Sequence, residues 1–152
     1  MISQKSMYVI TQSDLGGAQK YVFDHAQADV KNNIKTIIVS DNKKGWLYQQ
    51  AQKNNIEYLA INNFVRDINI INDFFSLIKL IIIVFNEKPT HLFLNSSKIS
   101  LIGVLAGKIC KVKNIIYTVH GWVFNEPMSK KKKKAYIFVE KISALWKNKI
   151  IF

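Results

Sequence analysis

The sequence predicts an α/β fold, namely a Rossmann-like, doubly wound parallel sheet with helices on both faces. Short apolar runs of strand length alternate with helix-like segments along the chain, which is the pattern of strands joined by helical crossovers. The 152 residues amount to one domain, and 49% of them are hydrophobic, which is enough to build a core. Because no internal repeat or linker interrupts this alternation, we expect a single domain over residues 1–152.

The predicted strands are short apolar runs that end in turn-forming residues. They cover residues 7–11, 35–40, 57–61, 91–94 and 115–119, and a sixth begins at Ile150. The segments between them are predicted helices, at residues 18–32, 46–54, 67–86, 99–111 and 130–147. In the first helix Ala18, Val22, Ala26 and Val30 are spaced four apart along one face, with Tyr21 beside them. In the fourth, Gly103 and Gly107 allow close approach to neighbouring elements.

The third predicted helix carries apolar residues on all sides. Its most apolar window, residues 74–85, is too short to span a bilayer and contains Lys79. Pro89 ends any helix in this region, because the residue before a proline avoids helical geometry. We therefore expect a long, deeply packed helix that begins at Asp67 and ends at Asn86.

The charge is strongly positive and unevenly placed. The formal net charge is +12, lysine supplies 21 of the 22 basic residues, and residues 108–149 hold 11 lysines but only two acids. The coding composition of a genome can produce a lysine bias, but the asymmetry favours a polyanionic partner, either anionic lipid or nucleic acid. No apolar run of signal-peptide length follows Met1, and the lone Cys110 fits a reducing cytoplasm, as a small buried side chain.

Three polar loops follow predicted strands and should meet at the carboxyl edge of the sheet, where open α/β sheets bind their ligands. Residues 12–19 place Gly16 and Gly17 before a helix, where backbone N–H groups can approach a phosphate. The dinucleotide fingerprint would need a third glycine at Gln19. Asp41 could imitate a ribose-binding acid, so a nicotinamide enzyme stays an alternative, as does a glycine turn required only for packing.

The second loop, Asn95, Ser96, Ser97 and Lys98, offers an amide, two hydroxyls and a cation. These groups suit sugar hydroxyls or a phosphate, although either serine could simply cap a helix. In the third loop, His120 and Gly121 follow an apolar strand directly and precede Trp122. Histidine is the side chain best suited to moving a proton near neutral pH, but a strand-end histidine can also be purely structural. Together the three loops predict a cleft for a polar substrate.

The ordered set of these motifs resembles a known family. Leu15-Gly16-Gly17-Ala18, then Asn95-Ser96-Ser97-Lys98 with Gly103, then Tyr117-Thr118-Val119-His120-Gly121-Trp122, is similar to the N-terminal domain of the family 4 glycosyltransferases, which are retaining GT-B-fold enzymes. The resemblance runs from about Met7 to Phe152. It implies that Gly16 and Gly17 approach the donor diphosphate, that Asn95, Ser96, Ser97, Lys98 and Gly121 line the acceptor side, and that His120 contacts the transferred sugar. Many relatives have histidine where this chain has Asn95.

The resemblance also implies what the chain does not carry. The family's second Rossmann-like domain binds most of the nucleotide, and we expect it to be absent here, through a truncated reading frame or because a partner chain supplies it. The expected function is the N-terminal part of a transferase that moves a sugar from a nucleotide-sugar to a cell-surface polysaccharide or glycolipid, inactive alone. A non-catalytic module that binds sugar or lipid phosphate is the alternative. No metal or other cofactor is implied.

Five consecutive lysines, Lys130, Lys131, Lys132, Lys133 and Lys134, begin the last predicted helix. Cations are unfavourable at the positive end of a helix dipole, so this run does not serve helix stability. A solvated charged run is one interpretation. The functional one is attraction to anionic lipid, at about 1 kcal/mol per lysine, which predicts a cytoplasmic protein held on the inner face of the membrane. Nucleic acid is not expected, because interleaved aromatics, arginines and a groove-reading motif are lacking.

Overall fold

The computed structural model describes residues 4–62, 64–65, 69–121, 127 and 129–152. In this part of the chain six strands form one all-parallel sheet in the order β3-β2-β1-β4-β5-β6, which confirms the predicted fold class. The strands are β1 (Lys5–Val9), β2 (Lys35–Ser40), β3 (Glu57–Ala60), β4 (His91–Leu94), β5 (Asn114–Thr118) and β6 (Lys149–Ile151). The helices are α1 (Gly17–Lys31), α2 (Trp46–Lys53), α3 (Ile70–Glu87), α4 (Ser97–Ile109) and α5 (Lys130–Ala144).

The core consists of two apolar layers, one on each face of the sheet. Successive side chains of a strand point to opposite faces, so Met7 and Val9 of β1 enter the layer under α3 and α4. Tyr8 enters the other layer, under α1 and α2. Helix α5 packs beside α4, on the same side of the sheet as α3. This division puts three helices on one face and two on the other.

The glycines of α4 allow that helix to lie close on the sheet, as the sequence predicts. A Cβ atom added at Gly103 would lie 2.2 Å from Leu94 Cδ2 in β4. One added at Gly107 would lie 2.7 Å from Ile115 Cδ1 in β5. Both distances are shorter than carbon–carbon contacts allow, so a side chain at either position would have to displace a side chain of the core.

Most predicted boundaries differ from the structure by one to three residues. Strand β1 begins at Lys5 rather than Met7, because Lys5 pairs with Lys35 in the parallel ladder. Helix α4 begins at Ser97 and ends at Ile109, and two residues later Lys111 has a φ of +55°, which is outside helical geometry. The predicted start of the third helix, at Asp67, lies outside the described residues.

The expectation of a deeply packed third helix is wrong. Of the eighteen residues of α3 only Ser76, Leu80 and Val84 are buried. Phe74 and Phe85 are 58% and 65% exposed. The reason is architectural: each face of the sheet carries one layer of helices, so α3 packs against the sheet and α4 and turns its other side outward. None of the described helices is long and apolar enough to cross a membrane.

We predict that Gly103→Val lowers the free energy of unfolding by about 1–3 kcal/mol, because the new side chain must displace Leu94 in a filled core. Urea denaturation measures this change. Gly17→Ala is the matched control, since nothing lies within 4 Å of a Cβ atom at that position and its φ is not positive. Equal stability of Gly103→Val and the unmodified chain would contradict the close packing of α4.

Candidate functional site

The candidate site lies at the carboxyl edge of the sheet, where β1 and β4 are neighbours. Strand order runs outward from β1 to β3 on one side and from β4 to β6 on the other, so the winding direction reverses between β1 and β4. Such a reversal separates the loops that follow the two strands and leaves a crevice. The loops after β1, β4 and β5 meet here, as the sequence predicts.

His120, two residues beyond β5, contacts the loop that follows β4. Its Nε2 atom lies 3.4 Å from Oδ1 of Asn95. Asn95 is 1% exposed, and its amide nitrogen donates to the carbonyl oxygens of Phe93 at 3.1 Å and Val9 at 3.4 Å. These two bonds fix the amide orientation and turn Oδ1 toward the imidazole.

This orientation assigns the proton on the His120 ring. Because Asn95 Oδ1 only accepts hydrogen bonds, Nε2 of His120 is the donor, and Nδ1 of the neutral ring is left as an acceptor. Partial burial lowers the pKa of His120 below its ordinary value of 6.5. The imidazole is therefore neutral at pH 7 and can accept a hydrogen bond from a hydroxyl group.

Tyr21 of α1 holds the other side of the imidazole. Its ring centroid lies 4.8 Å from that of His120 with an angle of 68° between the planes, an edge-to-face contact. His25, one turn further along α1, packs on Tyr21 at 4.1 Å. The sequence analysis did not assign Tyr21 to the site. Its position on the first helix, near the glycine loop, was the available signal.

Two hydroxyls join the first two loops. Thr11, just beyond β1, and Ser96, at the N-cap of α4, are hydrogen-bonded through their side chains. The Ser96 side chain makes no capping bond to the helix, so the capping interpretation of Ser96 does not hold. Thr11 is a second site-edge residue that the sequence analysis missed, because a single threonine after a strand carries no distinguishing pattern.

Two of the three glycines of the candidate site, Gly17 and Gly121, have open space around them. Gly17 begins α1, Gly16 is its N-cap, and no side chain caps this helix end. No atom of the described residues lies within 4 Å of a Cβ atom at Gly17 or Gly121, so packing does not explain either glycine. Gly121 has a φ of +153°, which disfavours other residues. Gly16 is overlain by the side chain of Gln19, which donates to the Gln12 carbonyl.

Ser97 and Lys98 turn to other partners. The Ser97 hydroxyl lies 3.3 Å from the Tyr117 hydroxyl, which in turn contacts the buried carboxylate of Glu140 at 3.3 Å. The ammonium group of Lys98 forms an ion pair with Asp73 of α3 and donates to the Val65 carbonyl at 2.8 Å. The structure thus brings Asn95, Ser96 and His120 together, while Lys98 is engaged with α3.

The other residues singled out in the sequence are Asp41, Cys110, the lysine run of α5 and Trp122. Both carboxylate oxygens of Asp41 accept hydrogen bonds from Asn42. Burial raises the pKa of the Cys110 thiol, which lowers the fraction of the nucleophilic thiolate form. Lys130, Lys133 and Lys134 are exposed on α5, and the side chains of Lys131 and Lys132 lie outside the described set, as does Trp122. Within the described ranges no group of three or more His, Cys, Asp or Glu side chains could hold a metal ion.

Comparison with known proteins gives one sequence relative. Over 86 residues the chain is 31% identical to the UDP-Gal:α-D-GlcNAc-diphosphoundecaprenol α-1,3-galactosyltransferase of Escherichia coli. The match covers 57% of this chain and 22% of that enzyme. No protein-family profile matches the sequence.

Solved structures agree on the fold. HepE from Anabaena, in complex with UDP and glucose, superposes with a TM-score of 0.68 at 14% identity, covering 90% of this chain and 35% of HepE. MurG from Acinetobacter baumannii gives 0.67 at 11% identity, covering 97% and 40% of the two chains. A UDP-N-acetylglucosamine 2-epimerase gives 0.66 at 13% identity, covering 97% and 41%.

The comparisons agree on the fold and point to one enzyme class. The chain has the fold of the N-terminal domain of GT-B enzymes, and 86 of its residues are similar in sequence to part of a glycosyltransferase. The chain spans well under half the length of each enzyme compared with it.

We predict that NMR titration places the pKa of His120 below 6.5 and that Asn95→Asp raises it, because a carboxylate beside Nε2 stabilises the charged ring. Since folding lowers this pKa, the stabilising contribution of the neutral ring is complete above pH 6.5 and is lost as the pH falls toward the folded pKa. His120→Gln assigns the resonance. A pKa above 6.5 in the unmodified chain would contradict the burial argument.

Proposed function

We propose that this domain forms the acceptor-side half of a retaining glycosyltransferase, which moves a sugar from a nucleotide-sugar to a polysaccharide or glycolipid acceptor. The observation that carries the proposal is the neutral His120, held between Asn95 and Tyr21 at the switch point with its Nδ1 atom free to accept a hydrogen bond. HepE was solved with UDP and glucose, and the Escherichia coli relative is named for a UDP-sugar donor and a diphosphoundecaprenol-linked acceptor. These names support a UDP-sugar donor and a lipid-linked acceptor.

In this proposal His120 binds the transferred sugar through a hydroxyl that donates to Nδ1. The ring dipole then stabilises positive charge that develops at the reacting carbon, in a site from which a second domain excludes water. The donor diphosphate rests at the uncapped start of α1, where Gly17 lets it approach the backbone N–H groups. A donor phosphate oxygen accepts the proton of the acceptor hydroxyl.

The second domain is part of the proposal. The compared enzymes are more than twice as long as the region they share with this chain, so we propose that the remaining donor contacts come from protein outside these 152 residues. A non-catalytic module that binds sugar or lipid phosphate is the second candidate. The open space at Gly17 and Gly121 favours this binding module as much as it favours a catalytic domain.

His120→Ala, made in a chain completed by the second domain, should lower kcat about a hundredfold or more, because a charge-stabilising contact at the reacting carbon is lost. Gly17→Val should instead raise the KM for the donor, because its side chain fills the space that the diphosphate needs. A radiolabelled-sugar transfer assay measures both.

The same assay separates the two candidate functions. The isolated 152-residue chain should transfer no sugar, and robust transfer by it alone would overturn the half-site proposal. Full activity of His120→Ala in the completed enzyme would remove this residue from the site. If the completed enzyme transfers nothing while the chain still binds sugar phosphates, the binding module is the correct function.

We further propose that the lysines at the start of α5 attract the domain to anionic lipid. Lys130, Lys133 and Lys134 are exposed, and the run of five forms the first residues of α5, where cations do not stabilise the helix dipole. Changing the five lysines to glutamine should reduce co-sedimentation with anionic vesicles. Because exposed charges are screened over about 10 Å at 0.1 M salt, added salt should weaken the binding of the unmodified chain as well. Equal binding to neutral vesicles would refute the electrostatic role.

A further inference from the structure

A network of hydrogen-bonded side chains runs from the core to the start of α4, and the mechanism proposed above does not use it. The network joins Glu140 of α5, Tyr117 of β5 and Ser97, which is the first residue of α4. Glu140 and Tyr117 are buried, whereas Ser97 is half-buried. The network therefore ends at the carboxyl edge of the sheet, in the loop that contributes Asn95 and Ser96 to the candidate site.

Glu140 anchors the network as a carboxylate. The ammonium group of Lys147 lies 3.3 Å from its Oε2 atom, and the Ser100 hydroxyl donates to Oε1 at 3.3 Å and to Oε2 at 3.2 Å. The same ammonium group lies 4.1 Å from the centre of the Tyr117 ring, a cation–π contact that fixes the ring. In this ion pair the carboxylate is ionised, so it accepts hydrogen bonds and donates none.

The carboxylate sets the direction of the hydrogen bonds. Because Glu140 only accepts, the Tyr117 hydroxyl is the donor to its Oε1 atom, 3.3 Å away. Burial raises the pKa of Tyr117 above its ordinary value, and the neighbouring carboxylate raises it further, so the phenol keeps its proton. With that proton directed to Glu140, the Tyr117 oxygen is left to accept from the Ser97 hydroxyl, at 3.3 Å.

This direction leaves Ser97 without a proton to offer a ligand. A serine hydroxyl has one proton, which Tyr117 receives, and two lone pairs, which no donor among the described residues occupies. The first N–H groups of α4 have no acceptor within the helix, and the Ser96 side chain does not cap them. The start of α4 thus presents backbone donors beside a side-chain acceptor.

A hydroxyl group matches this arrangement, and a phosphate ester does not. A sugar hydroxyl can accept from a backbone N–H group of α4 and donate its proton to Ser97. A fully ionised phosphate ester has no proton to donate, so it meets the lone pairs of Ser97. Ser97 could serve it only by turning its proton away from Tyr117, which costs the buried Tyr117 oxygen a hydrogen bond. His120 has the same polarity as Ser97, since its Nδ1 atom is an acceptor.

We propose that Glu140 is a positioning residue for the acceptor: through Tyr117 it holds Ser97 as a hydrogen-bond acceptor, so that the start of α4 binds a sugar hydroxyl and discriminates against a phosphate ester. The assignment of this loop to the acceptor rests on the proposed function, whereas the direction of the network does not. The composition of residues 95–98 fits both ligands, and the buried carboxylate selects between them.

Neutron diffraction from crystals of the deuterium-exchanged protein reads the direction of the network. The deuterium atom on the Tyr117 hydroxyl should point to Oε1 of Glu140, and the one on Ser97 should point to the Tyr117 oxygen. Any other position of the Ser97 deuterium, or a deuterium atom on Glu140, would overturn the proposal.

An isosteric substitution should reverse the network. In Glu140→Gln the amide oxygen takes the place of Oε2, which faces the Lys147 ammonium group, and the amide nitrogen takes the place of Oε1, which faces Tyr117. Tyr117 then accepts from the amide and donates to Ser97, whose own proton becomes available to a ligand. Tyr117→Phe releases the same proton without a change of charge.

A second tyrosine–carboxylate pair supplies the matched controls. The buried Tyr8 of β1 donates to Asp29 of α1 at 2.9 Å, on the opposite face of the sheet. Asp29→Asn removes one negative charge, as Glu140→Gln does, and Tyr8→Phe removes one buried hydroxyl, as Tyr117→Phe does. Thermal unfolding of all four variants verifies that they fold, and Tyr117→Phe suffices where Glu140→Gln does not.

NMR titration with dimethyl phosphate, an ester anion without an acidic proton, measures the effect through the backbone amide signals of Ser97 and Lys98. Glu140→Gln and Tyr117→Phe should bind it about three- to tenfold more tightly than their controls, because Ser97 no longer gives up a buried hydrogen bond to reach it. Affinities equal to those of the controls would overturn the proposal. A purely structural role of Glu140 would weaken binding or leave it unchanged, so a gain identifies the positioning role.

Neither experiment involves sugar transfer, so the two proposals fail separately. Absence of transfer in the completed enzyme would refute the transferase function and leave the direction of the network unchanged. A network that runs the other way would refute the role of Glu140 and leave His120 in place.

Discussion

The pairing of β1 with β4 is the constraint on which the candidate site depends. Parallel register sets Val9 beside Leu94, so the residues that follow each strand leave the sheet at the same level. Thr11 can then reach Ser96, and the Val9 carbonyl can accept hydrogen bonds from both the backbone and the side chain of Asn95. A slip of the register by one residue would turn each of these side chains to the other face of the sheet.

Asn95 connects this constraint to the chemistry of the site. A buried amide must satisfy its donors and its acceptor, and here the donors are satisfied by the strand carbonyls and the acceptor by His120. The backbone carbonyls of two central strands orient Asn95, and Asn95 thereby determines which ring nitrogen of His120 carries the proton.

Much of the fold could be predicted because its signals are local. The strands at residues 35–40 and 91–94 match the structure, since each is an apolar run bounded by polar residues. Gly103 and Gly107 are predictable as packing glycines because small residues four apart lie on one face of a helix. The convergence of the three loops also followed, because a parallel sheet places all strand-to-helix loops on one edge. These inferences need composition and topology but no contact between particular side chains.

The failures share a physical cause, which is that sequence pattern does not show what lies opposite a side chain. Lys98 has the composition of a phosphate ligand, yet Asp73 is 25 positions away in sequence and adjacent in the structure. In the sequence Tyr21 is indistinguishable from the other apolar positions of α1. Only the structure shows that His120, which follows β5, lies beside it. Helix α3 reads as buried because its composition is apolar all round, whereas burial depends on how many layers cover a helix.

The two faces of α3 show how one helix can satisfy two environments. Its inner side packs against the sheet through Leu80 and Val84, and the ion pair of Asp73 with Lys98 ties its first turn to α4. These contacts hold the helix in place without its outward-facing side chains, so Phe74 and Phe85 contribute little to the stability of the domain while they stay exposed to water. Exposed phenylalanine rings carry a solvation cost that folding does not recover.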